Sequence, residues 1–61
     1  MVVTVWISSV NVKTRIPEKD VMNFIYRYYY PQEIACVIER YGAKEYRTYA
    51  GETATVRKVN D

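Results

Sequence analysis

Two carboxylate pairs, Glu18 with Asp20 and Glu39 with Glu45, are the side chains of this 61-residue chain that could serve as a general acid and base. Spacing alone brings neither pair into a pocket. The chain has no histidine and a single cysteine, Cys36, so a nucleophile, its base and an oxyanion stabiliser are not assembled and no zinc constellation exists. Gly42 and Gly51 fit neither G-x-G-x-x-G nor the P-loop pattern and read as turn residues. Cys36 alternates with Ile34 and Ile38, the setting of a small buried apolar residue. The expectation is a non-enzymatic protein with no catalytic residue, metal or cofactor.

Binding chemistry is better represented. The C-terminal third carries Arg40, Lys44, Arg47, Arg57 and Lys58 against Glu45 and Glu52, with Tyr41, Tyr46 and Tyr49 between them. Basic groups attract phosphate and aromatic faces stack on bases, so Arg40, Lys44, Tyr46, Arg47, Arg57 and Lys58 form a candidate nucleic-acid surface. A net charge of +2 is low for that role. Tyrosine and arginine are also the anchors of protein interfaces, and Tyr26, Arg27 and Tyr30 make a second candidate patch. A protein-protein interaction module acting through Tyr26, Arg27 and Tyr30 is the leading expectation, and a nucleic-acid-binding module is the alternative. In size, in its lack of catalytic equipment and in its tyrosine content the chain resembles small viral or mobile-element proteins. That resemblance is one of class and implies an inhibitor or adaptor that binds a host protein.

The elements that must position these groups follow from prolines and periodicity. Pro17 and Pro31 bracket an amphipathic stretch and predict one helix over about 17–30, with Pro17 at its first position and Pro31 ending it near Tyr30. Val21, Phe24, Ile25 and Tyr28 then form the core stripe, flanked by Met22 and Tyr29, while Tyr26, Arg27 and Tyr30 face outward. Met1–Val12 alternates and predicts one strand, with Trp6 opposite Val3, Val5 and Ile7 and expected to be covered by the rest of the chain. Ile34 to Tyr41, Lys44 to Tyr49 and Glu52 to Val59 read as three further strands. They are joined by two-residue turns at Gly42-Ala43 and Ala50-Gly51, which place Ile38 opposite Arg47, and Arg47 opposite Ala54. Val37, Thr48 and Thr53 then share the other face. Asn60 and Asp61 are expected to fray.

The predicted fold class is α+β: a single small domain over 1–61, β-α-β-β-β, with a mostly antiparallel sheet and the helix packed on one face. A chain this short buries only about 60% of the surface its unfolded form exposes, so self-association as a homodimer is the expected staple. The apolar run Met1–Ile7 is too short for a membrane span, and a lone thiol fits a reducing compartment, which together predict a cytoplasmic protein, the host cytoplasm if viral.

Overall fold

Alternation of apolar residues on the first strand sets the core. In the computed structural model, which describes residues 1–59, Val3, Val5 and Ile7 project from strand β1 (Val2–Ile7) and are fully buried. Strands β2 (Val12–Pro17), β3 (Ile34–Arg40), β4 (Ala43–Thr48) and β5 (Thr53–Lys58) complete an antiparallel sheet in the order β2-β1-β5-β4-β3. One helix, α1 (Val21–Ile25), packs on one face. The domain is a small α+β fold.

The N-terminal segment is a hairpin, where periodicity predicts one strand. Ser8 to Asn11 form its turn: the Asn11 N–H donates to the Ser8 carbonyl at 3.3 Å, and Asn11 takes φ 53°. Asparagine tolerates that left-handed geometry because its short polar side chain bonds locally. The turn reverses the parity of inward residues. Val3, Val5 and Ile7 are odd; Val12, Thr14 and Ile16, their register partners on β2, are even.

The helix is shorter than the prolines suggest. Pro17 ends β2 opposite Val2 instead of opening a helix, a position at a sheet edge where its missing N–H costs no ladder bond. A 3-10 turn over Glu18–Asp20 follows, then α1. Beyond Ile25 the hydrogen bonds tighten, with Arg27 and Tyr28 N–H groups donating three residues back. The run Tyr26 to Tyr30 contains four aromatics of weak helix propensity, and Tyr30, before Pro31, is extended. The buried stripe accordingly runs Val21, Ile25, Tyr29. Tyr28, expected in the core, is 39% exposed and tilts against Phe24 at 5.4 Å between ring centroids. The Tyr29 hydroxyl meets Ser9 Oγ at 2.6 Å and so ties the end of the helical segment to the β1–β2 turn.

Ala54 and Val56 of β5 lie opposite Ile7 and Val5 and complete the buried face beneath α1. Both C-terminal turns differ from expectation. The β3–β4 turn is Tyr41-Gly42, with φ 52° and 77°, flanked by the pair Arg40 and Ala43. Ile38 therefore faces Glu45, two places from the predicted partner, and the faces are preserved. The β4–β5 loop spans residues 49–52, closed by Thr48 N–H to the Glu52 carbonyl at 2.9 Å. That moves the register by one, so Arg47 pairs with Thr53 and Tyr46 with Ala54, and every β5 side chain changes face relative to the predicted pairing.

Candidate functional site

Register partners in an antiparallel ladder share a face, so the pairing assigns the side turned away from α1 residue by residue. One row crosses all five strands as Arg40, Ala43, Arg57, Thr4 and Arg15. The next row is Ile38, Glu45, Thr55, Trp6 and Lys13, and beyond it lie Cys36, Arg47 and Thr53. The three arginines of the first row sit on alternate strands, with backbones about 10 Å apart at the usual strand spacing, and small residues separate them. Lys13, Arg15, Arg40, Arg47 and Arg57 are all exposed.

Charge is therefore segregated in a way the total conceals. This face carries five basic side chains and one carboxylate, Glu45. Elsewhere the described chain has four basic side chains, Lys19, Arg27, Lys44 and Lys58, and five acidic ones, Glu18, Asp20, Glu33, Glu39 and Glu52. Glu45 is already engaged: Arg47 Nε donates to its carboxylate, and that hydrogen bond, reinforced by the charge, pushes the Arg47 pKa above its usual value. Among the described residues, Arg47–Glu45 is the one ion pair on this face.

Trp6 lies in the second row between Thr55 and Lys13 and is 44% exposed. Its burial, expected from size, does not occur because α1 covers the opposite face and its aliphatic neighbours Val5 and Ile7 already fill that side. The indole Nε1–H donates to Asn11 Oδ1 at 3.3 Å, anchoring the ring to the β1–β2 turn.

The predicted nucleic-acid set divides between the two faces. Arg40, Arg47 and Arg57 come together on the open face. Lys44, Tyr46 and Lys58 pair with Val56, Ala54 and Val3 and lie on the side of α1, where Lys44 approaches Glu39 at 3.8 Å. Tyr41 and Tyr49 are exposed in turns at opposite ends of β4. Lys13, Arg15 and Trp6 belong to the open face and were absent from the sequence-based set. Their signal was the Ser8-Ser9-Val10-Asn11 cluster, which marks the turn that puts Lys13 and Arg15 on a strand.

Of the other candidates, Tyr26 is 43% and Tyr30 68% exposed, and Arg27 is exposed. The shared helical face predicted for them is not formed, since Tyr26 caps α1, Arg27 lies in the following turn and Tyr30 is extended. Cys36, predicted buried, is an exposed free thiol. Glu39 and Glu45 lie on opposite faces of the sheet and do not act as a pair. An open groove of about 660 Å³ runs beside α1, between Glu18, Met22, Tyr41, Lys44 and Lys58. Among the described residues, no three His, Cys, Asp or Glu side chains are grouped to hold a metal, and no helix is long and apolar enough to cross a membrane. No family model, curated protein or solved structure matches the chain.

Proposed function

We propose that this chain is a non-enzymatic nucleic-acid-binding module that lays a single strand across the open face of its sheet. The observation that carries the reading is the segregation of five cations and the exposed Trp6 onto one face of a protein of low net charge. Arg15, Arg40, Arg57 and Lys13 would take phosphates, and Trp6 would take a base on its ring. Such contacts are sequence-tolerant, because phosphate pairing carries no base identity and every base has a face to stack. The exposed thiol of Cys36 suits a reducing compartment, and the cytoplasm is the proposed location.

A second reading has its own observation: Tyr26 and Tyr30 present large exposed aromatic surfaces beside Arg27, the composition of a protein-docking patch. In that reading the chain is an inhibitor or adaptor. Titration with oligothymidylate at low salt, followed by Trp6 fluorescence, tests the first. Quenching that survives the joint replacement Tyr26→Ala and Tyr30→Ala supports the open face; no fluorescence change and no mass shift at low salt removes it.

A further inference from the structure

The two edges of the sheet are not alike. On β2 the exposed Lys13 and Arg15 and the terminal Pro17 discourage another strand from pairing. On β3, Ile34 to Ile38 contains no charge, and Ala35, Cys36 and Val37 are exposed, Val37 at 48%. The β3 backbone bonds to β4 on one side and, among the described residues, has no strand on the other. Long apolar edges of this kind pair with another chain.

We infer that β3 pairs antiparallel with β3 of a second copy, about a two-fold axis normal to the sheet at Val37. Self-pairing is favoured by the register it creates. Val37 meets Val37 and Cys36 meets Ile38, so apolar residues occupy the centre, and Glu39 and Arg40 fall against the uncharged Ile34–Ala35 end of the partner strand, where the register is irregular. An axis at Cys36 would bring the irregularity between Ile34 and Cys36 into the centre of the contact. One at Ile38 would set Val37 and Cys36 against Glu39 and Arg40. The irregularity between Ile34 and Cys36 then falls toward the outer end of the contact. Face-to-face association through the open side, by contrast, would oppose five cations with five.

An axis normal to the sheet keeps each face on its own side, so the two basic faces become one continuous surface across ten strands. Its use by nucleic acid rests on the function proposed above; the pairing does not. Sedimentation equilibrium of the protein alone across a concentration series tests the pairing, with Val37→Lys as the edge variant and far-UV circular dichroism as the fold control. The expected result is a dimer that Val37→Lys converts to a folded monomer. In a Cys36→Ser background, Val37→Cys should give a disulfide-linked dimer with diamide as oxidant and Glu39→Cys should not, because only residues at the axis come within disulfide range. A monomer at every concentration up to the solubility limit overturns the inference, as does a dimer that Val37→Cys fails to link. Oligonucleotide binding by such a monomer would leave the proposed function standing.

Discussion

Replacing Arg57 by alanine and Lys58 by alanine removes the same charge from adjacent positions, yet the two side chains lie on opposite faces of β5. If the open face binds a single strand, the two variants must differ. Four cations there, Lys13, Arg15, Arg40 and Arg57, have no carboxylate within 4.0 Å among the described residues, whereas Arg47 must first give up Glu45. Each phosphate neutralised on a single strand contributes roughly 0.7 to the slope of log affinity against log salt, so four contacts predict about −2.8. A fourfold rise in salt should then weaken wild-type binding about fifty-fold. Arg57→Ala should lower the slope to about −2.1 and the salt effect to about twenty-fold, while Lys58→Ala keeps the wild-type slope. The assay is fluorescence titration with oligothymidylate at several salt concentrations, reading Trp6, the only tryptophan. Equal slopes for Arg57→Ala and Lys58→Ala would show that bulk charge and not the face governs binding, and would refute the reasoning.

Two predictions concern stability. Tyr41 sits at φ 52° with its side chain 94% exposed, so Tyr41→Asn relieves a left-handed tyrosine at little loss of contact and should stabilise the fold by up to about 1 kcal/mol. An unchanged or lowered urea midpoint would contradict this. Tyr29→Phe removes the hydroxyl that meets Ser9 Oγ and should cost about 1 kcal/mol. Ser9→Ala should cost a similar amount, and the double variant little more than either alone; additive losses would show that the two hydroxyls act separately.

Period-two alternation made Val3, Val5 and Ile7 readable as an inward face, and the spacing after Pro17 identified Val21 and Ile25 as the helix residues that cover it. What escaped was turn geometry. Val10 and Val12 extend the uncharged, apolar-rich run past Ser8-Ser9, which hid the hairpin, although their even parity against Val3, Val5 and Ile7 marks it. In the β4–β5 loop a single residue decided whether Arg47 faces Ala54 or Thr53. The charge asymmetry was invisible for the same reason: net charge sums over faces, and only register separates Arg57 from Lys58. Trp6 was misplaced because size argues for burial, whereas parity had already put it opposite the aliphatic set. Tyr28 and Tyr29 exchanged roles because the inward stripe advances by four residues at each step, from Val21 to Ile25 to Tyr29.

The central position of β5 in the strand order also governs how the chain reaches this state. β1 lies between β2 and β5, and its partners Ala54 and Val56 are some fifty residues away along the chain. During synthesis the β1–β2 hairpin and α1 emerge early, but they cannot close their core until β5 has left the ribosome. A nascent chain halted before Val56 therefore holds β1 with one hydrogen-bonding edge vacant and Val3, Val5 and Ile7 only partly covered. Folding of this domain thus waits on β5, and closure of so distant a pairing is expected to set its rate.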